Sequence, residues 1–397
     1  MLTITTAPDP IVFHRDLIYF EITTDMITAG VADEENLSLR VEVKFFHEGD
    51  PTTTLTVLTI PFNSAGIATL SLQDMMPLTT TPVSADSLQN GTAGVAKTMA
   101  GTFFIDAYEQ WGFPAVPDSV GVASSEIRVV YGQSRFGYGF GPVASSWMLH
   151  AFYSGDNLSF AREVRADQPE YLYVFAYSPI TITPSVTLHY TDGTVDSDTG
   201  SATTLEADKV NYIPVSLTDL DITPDAAKDL SFYLVTLDGL PLSSNRTVFY
   251  QLDDHASDYD HYLLYDNGMG GCEVLRCSGK KDRSIKSSKT TLRTTRWANM
   301  DYQQGLIRQS STEGQEYIKV NTGYYSKEYC DHLSQLLLAN AWYIDMTRQI
   351  PYAIIIEDTE LVTSTEDDDL YSLEFTYRLA WSRSSMSNFQ PSIIAAV

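Results

Sequence analysis

Cysteine is scarce: the 397-residue chain holds three, an odd number and far too few to staple a protein of this length. The fold has no disulfide framework to rest on, which suits a reducing compartment. Bases are short as well. Lys and Arg number 25 against 51 Asp and Glu, a formal net charge of −26. A phosphate backbone is held by clustered Lys and Arg, so this balance argues against nucleic acid as a partner. No apolar run approaches the ~18 residues that read as a bilayer span. The opening MLTITTAPDP carries neither the basic nor the apolar region of a secretory leader. GxSxG, HExxH and P-loop patterns are missing, and the seven His form no pair at metal-binding spacing. The expectation is a protein without enzymatic activity, catalytic residues, cofactor or membrane insertion, made in a cytoplasm.

What is present builds cores. Hydrophobic residues make up 43% of the chain and aromatics 12%, enough to exclude global disorder. In the first 150 residues, Leu37, Leu39, Val41, Val43 and Phe45 alternate with Ser38, Arg40, Glu42 and Lys44. Side chains on a strand point to opposite faces in turn, so this period of two predicts a half-buried strand. Similar short runs, IVFHRDLIYFEITTD, TLTVLTIPF and GIATLSLQDM, are separated by turn clusters. Thr79–Gly101 has little to bury and reads as a long loop or arm. Five further strand candidates lie between Gln168 and Leu252, with Asp192-Gly193 supplying a hairpin turn. The last third reads as strand, Asn-Gly/Gly-Gly turn, strand, and then a helix over 326–339. Ser326 is its N-cap, and Tyr329, Leu333, Leu336 and Leu337 share a face. The predicted fold class is mainly β. A β-sandwich over 1–150 precedes a second over 151–255, and a β-rich domain with one structural helix covers 256–397.

Charge divides the chain unevenly. Residues 1–150 carry 6 bases against 16 acids, residues 151–270 carry 5 against 19, and residues 271–397 carry 14 against 16. Nine bases fall between Arg276 and Arg308. Arg276, Lys280, Lys281, Arg283, Lys286, Lys289, Arg293 and Arg296 therefore form a basic island. It reads either as a solvated lysine-rich loop or as a docking surface for an acidic neighbour, such as another copy's N-terminal part.

Candidate chemistry is sparse. Asp253, Asp254, Asp258 and Asp260 crowd one acidic stretch, which reads as a linker, with calcium as the alternative because hard cations take several carboxylate oxygens. Glu366–Asp369 reads as a solvated turn. Cys272, Cys277 and Cys330 read as small packing residues. The Gly- and Tyr-rich stretch Tyr131–Gly141, with Tyr138, and further tyrosines at 153, 171, 173 and 177 could stack on sugar rings. A carboxylate pair for polysaccharide cleavage leaves no spacing signature, so it stands as a third reading.

Several segments carry a resemblance. PDPIVFHRDLIYFEITTD, YLLYDNGMGGCEVLRCSGK, VNTGYYSKEYCDHLSQLLLANAWYIDM and PYAIIIEDTELVTSTEDDDLYSLEFTYRLAW resemble proteins of phages and prophages of Bacteroidota that are taken as virion or tail-associated structural proteins. The resemblance covers about half the chain, chiefly Pro8–Asp25 and His261–Trp381, and has no counterpart for the acidic centre. Together with the charge division, it points to a tail, tail-tip or collar subunit in the virion, forming a homo-oligomeric ring or sleeve with copies of itself and other virion proteins. The alternative is a host-recognition module that binds surface polysaccharide.

Overall fold

In the computed structural model the described residues are 1–26, 37–73, 75, 80, 93–132, 147–149, 162–165, 168–240, 247–253, 257–268, 270–293, 307–345, 350–358 and 371–380. The chain is mainly β, as the alternating runs predict, with sandwich-like pairs of sheets and, among the described residues, one α-helix. It forms two compact units. The first comprises Met1–Leu252 with Asp266–Glu273, and the second Asp253–Tyr265 with Val274–Val397.

The first unit holds two hydrophobic cores. In one, the sheet of Leu2–Thr6, Tyr19–Thr24 and Ile67–Ser71 faces a second sheet. That sheet runs Ile11–Phe13, Ile127–Val130, Ala100–Trp111, Ser38–Phe46 and Thr53–Pro61. Leu39, Val41, Val43 and Phe45 all turn inward against Phe20, Ile22, Phe103 and Ile105, while Ser38, Arg40, Glu42 and Lys44 stay half-buried on the opposite face. Each such buried apolar side chain contributes ~1.5–3 kcal/mol, which fixes the face and hence the register.

The second core lies under the order Arg162–Val164, Val248–Leu252, Leu230–Asp238, Ile180–Tyr190, Val195–Thr199 on one side. The other side is Trp147–Met148, Tyr171–Ala176, Lys209–Pro214 and Gly94–Val95. Gly94–Val95 belongs to the stretch expected to be a free loop or arm. Its ladder with Asn211 and Tyr212 crosses the boundary the sequence suggests near residue 150. The close approach requires glycine at 94, because a Cβ there would lie 2.3 Å from the Tyr212 hydroxyl oxygen. Residues 79 and 81–92 of that stretch lie outside the described residues.

The turn Asp266–Glu273 is also part of the first unit. Tyr131 donates its hydroxyl proton to Asp266, and Asn267 donates through Nδ2 to the Leu149 carbonyl at 3.3 Å. Gly271 packs so closely that a Cβ would sit 2.2 Å from the Leu149 oxygen.

The second unit is built on one seven-stranded sheet. Its order is Cys272–Cys277, His261–Asp266, Ala341–Asp345, Ile350–Ile356, Glu374–Leu379, Ile307–Asn321, Lys281–Arg293. The helix is shorter than predicted. Ser326 accepts from the Tyr329 backbone N–H at 3.2 Å and caps Lys327–Leu333, and the chain then tightens into a 3₁₀ turn over Ser334–Leu338. Tyr329, Leu333 and Leu336 are buried, whereas Leu337 is only half-buried because the tighter turn rotates it off the shared face.

Candidate functional site

The basic island is strand and not loop. Lys281–Arg293 pairs antiparallel with Ile307–Asn321 along thirteen residues, and the partner strand then joins Glu374–Leu379 only through Tyr317–Asn321. Beyond that point, Ile285–Arg293 and Ile307–Glu316 have ladder partners only in one another among the described residues. At ~3.4 Å per residue this two-stranded ribbon runs on for about 30 Å past the sheet. Strand residues with polar side chains on both faces show no period of two, which is why a loop was expected. The readable signal was the lack of any Gly or Pro between Lys281 and Arg293.

The predicted docking bases separate into different environments. Arg276 is a correction: it is buried, 3% exposed, and therefore not part of any docking face. Its Nη1 donates to Asp253 at 2.7 Å and its Nε to Asp260 at 2.9 Å, while Tyr325 donates its hydroxyl proton to the Arg276 carbonyl at 2.7 Å. Asp253 and Asp260 thus neutralise a guanidinium, which overturns their reading as calcium ligands. Asp258 is exposed beside them, and Asp254 lies outside the described residues. No group of three or more His, Cys, Asp or Glu able to hold a metal ion occurs among the described residues.

Just before the strand, the Lys280 side chain is 74% exposed and pairs with Asp282 at 3.3 Å. Lys281 is half-buried, and burial, reinforced by Arg283, lowers its pKa from the ordinary lysine value. Arg283 pairs with Glu316 across the hairpin. The exposed Lys286 holds its ammonium 4.2 Å from the Tyr317 ring centre. Lys289 and Arg293 are in the same strand by backbone; Arg296 lies outside the described residues. Ile285 is 73% exposed on this edge.

The first unit carries an edge of opposite sign, which the sequence reading missed. Val195–Thr199 ends its sheet, and all five residues are exposed. Asp196 and Asp198 share one face of this strand, two residues apart. Lys228 approaches Asp196 at 3.9 Å, and Asp192 accepts from the Thr194 backbone N–H at 2.8 Å. The Asp-Gly turn was legible, but not that the strand after it would end its sheet among the described residues.

Other candidates resolve as structure. Tyr171 and Tyr173 are buried, which corrects their reading as a sugar platform; Tyr177 is 40% exposed. Tyr138 and Tyr153, like Glu366–Asp369, lie outside the described residues. Cys272, Cys277 and Cys330 are buried and not disulfide-bonded. Burial pushes the Cys330 thiol up to about 11, so it stays protonated and inert near neutral pH. A cavity of about 160 Å³ in the first unit is lined by Glu48, Lys97, Glu126, Arg128, Asp208 and Lys209 among others. Arg128 reaches Asp208 through two nitrogens, at 2.5 and 2.8 Å, and Lys209 reaches Glu206 at 2.7 Å and Glu48 at 3.5 Å. Arg128, Asp208, Lys209, Glu206 and Glu48 are thus paired with one another around this cavity.

The most elaborate buried polar cluster sits under the second core. Arg162 and Glu170 are each 1% exposed, with Nη1 to Oε2 at 2.9 Å, and Gln168 donates to Glu170 at 2.5 Å. Burial, set against the charge of Arg162, raises the Glu170 pKa to about 7. Tyr250 and Tyr233 close over it, with Arg162 6.0 Å from the Tyr250 ring centre. Everything in this cluster is sealed from solvent, so it orders the core and presents nothing to a substrate.

No family model matches the chain, and no curated protein matches it. Among solved structures it is similar to an alpha-2-macroglobulin of E. coli, with a TM-score of 0.24 and 8% identity over 81% of this chain. A Salmonella alpha-2-macroglobulin gives a TM-score of 0.21, again at 8% identity over 81% of this chain. The chain spans 22% of the length of either macroglobulin. Squid arrestin, at a TM-score of 0.19 and 7% identity, is matched over 64% of this chain and 95% of that one. Likenesses this weak transfer no function. No helix among the described residues is long and apolar enough to cross a membrane.

Proposed function

We propose that this chain is a non-enzymatic structural subunit of a phage virion, in the tail, its tip or the collar, and that it assembles with copies of itself and other virion proteins into a ring or sleeve. The observation that carries the reading is the ribbon of Ile285–Arg293 and Ile307–Glu316, whose ladder partners are each other alone among the described residues. A two-stranded hairpin without a third strand or a packed face is marginally stable in water. A ribbon of about 30 Å therefore gains its order when a neighbouring subunit covers it, at ~3.4 Å per residue. The charge division supports the same reading, because acidic and basic ends favour head-to-tail contacts that close into rings where the rotation permits. The phage-like segments, chiefly Pro8–Asp25 and His261–Trp381, supply the setting.

Sedimentation of the purified chain together with mass spectrometry of purified virions tests this. Concentration-dependent oligomers and the chain's peptides in the particle are expected. A strict monomer at high concentration, absent from virions, would overturn the proposal.

A further inference from the structure

Beyond the head-to-tail reading, and independent of the basic ribbon, we propose that the edge strand Thr53–Pro61 is a twofold contact, pairing antiparallel with the same strand of a second copy. From Pro51 to Gln73 the sequence runs for 23 residues without one Asp, Glu, Lys, Arg or His, in a chain where 19% of residues are charged. The fold gathers this stretch on one side of the first core. Thr53–Pro61 ends the larger sheet, and the next strand, Ile67–Ser71, ends the facing sheet and touches it there. The ladder of Thr53–Pro61 runs only to Ser38–Phe46 among the described residues, so its other side presents a row of backbone N–H and C=O groups. Such edges are commonly blunted by charge. This one has none, and its Leu55 and Val57 are 38% and 47% exposed. Strand addition completes edges of this kind, with main-chain hydrogen bonds supplying the binding.

The occupant follows from charge. At a net −26, two copies repel one another over most of their surface. Around this edge the repulsion is missing. Outward side chains of the adjoining strands pair among themselves, Arg40 with Glu42 at 2.8 Å and Lys44 with Asp106, two bases against two acids. Copies can approach here, and a neutral strand carries nothing that would prefer a charged foreign segment. At Val195–Thr199, by contrast, a twofold axis would set Asp196 and Asp198 against their like. The faces match as well. Leu58 and Ile60 pack on the core, while Val57 and Thr59 are exposed beside Glu42 and Arg40. The ladder skips Leu55, which leaves Thr56–Pro61 as the regular stretch. Centred on Leu58, the antiparallel pair sets Val57 against the partner's Thr59 on the outer face and Thr56 against the partner's Ile60 on the core face. These β-branched residues suit a pleated sheet and one another. The same surface serves both copies, so the contact closes at two and is distinct from one that builds a ring.

Analytical ultracentrifugation and hydrogen exchange of the full chain test this. The wild type is expected to dimerise, and the amides of Thr53–Pro61 to exchange more slowly as concentration rises. Val57→Lys with Thr59→Lys, and Val57→Glu with Thr59→Glu, each bring like charges together across the axis. Each pair of changes is expected to weaken dimerisation about a hundredfold. An equimolar mixture of the two variants is expected to regain it, since every outer-face pair then joins opposite charges. Circular dichroism separates lost contact from lost folding, and both substituted positions are exposed. Dimers that persist unchanged in both variants would overturn the strand pairing while leaving the ring or sleeve reading intact. Variants that dissociate with no recovery in the mixture would overturn the twofold pairing. Protection of the strand that arises only when another virion protein is added would give the edge to a foreign strand and overturn the contact between copies. A wild-type chain that stays monomeric would overturn this contact and self-assembly together.

Discussion

Arg162 and Arg276 are both buried arginines paired with carboxylates, yet they serve their units differently. Arg162 in the first unit meets Glu170 where both are 1% exposed, and Gln168 and two tyrosines complete the enclosure. Arg276 in the second meets Asp253 and Asp260, whose side chains remain 26% and 15% exposed. The first pair has no recourse to water if it is broken, and the second does. A basic residue in a charge map is thus no guide to a docking surface: of the island between Arg276 and Arg308, the arginine that begins it is spent inside the fold.

Substitution at each arginine separates the two most strongly. Arg162→Met strands Glu170 in the interior and is expected to destabilise the first unit by about 3–5 kcal/mol, read as a shift in its denaturant midpoint. Equal losses for Arg162→Met and Arg276→Met would dissolve the distinction. For Arg276→Met, about 1–3 kcal/mol is expected in the second unit, because Asp253 and Asp260 can turn to solvent.

Titration sharpens the contrast further. Burial lowers His261 to about 3 in the second unit, where it stacks 4.6 Å from Tyr343 and hydrogen-bonds Tyr377. Burial, aided by Arg15, lowers His14 to about 4 in the first, where the Gly132 N–H donates to its Nδ1 at 2.7 Å. A depressed histidine pKa gives stability that is whole above the ordinary value near 6.5 and is lost as pH falls below it. From pH 6.5 to pH 5 each histidine removes about 2 kcal/mol. Glu170, raised to about 7, works in the opposite sense: its contribution is whole below the ordinary carboxyl range and is lost as pH rises toward 7. Between pH 7 and 5 the second unit should lose stability while the first stays nearly level. Calorimetry in that window checks it, and parallel losses in both units would contradict the opposing roles. His261→Gln should flatten the second unit's slope.

The smallest effect expected is at the ribbon. Lys286→Ala removes the contact with Tyr317 at 4.2 Å and should cost about 0.5–1 kcal/mol or less, seen as slightly faster amide exchange along Lys281–Arg293.

How much of this was legible follows from what each signal measures. The inward turn of Leu39, Val41, Val43 and Phe45 could be read directly, because burial of one strand face imposes a period of two on the residues themselves. The Ser326 cap was legible for the same local reason, since its side chain serves an N–H three residues on. The ribbon was not, because a strand with polar residues on both faces leaves no period to find. Nor was the pairing of Gly94–Val95 with Asn211 and Tyr212, where two residues join a strand more than a hundred positions away.

By itself the sequence determined the β character, the absence of a disulfide framework and the division of charge along the chain, since each is a property of composition or of neighbours within a few residues. Only the tertiary structure decided which charges are enclosed and which lie along open edges. Enclosure depends on long-range strand order, and it is desolvation, not residue type, that turns an arginine into a core contact or leaves an aspartate free to meet a partner.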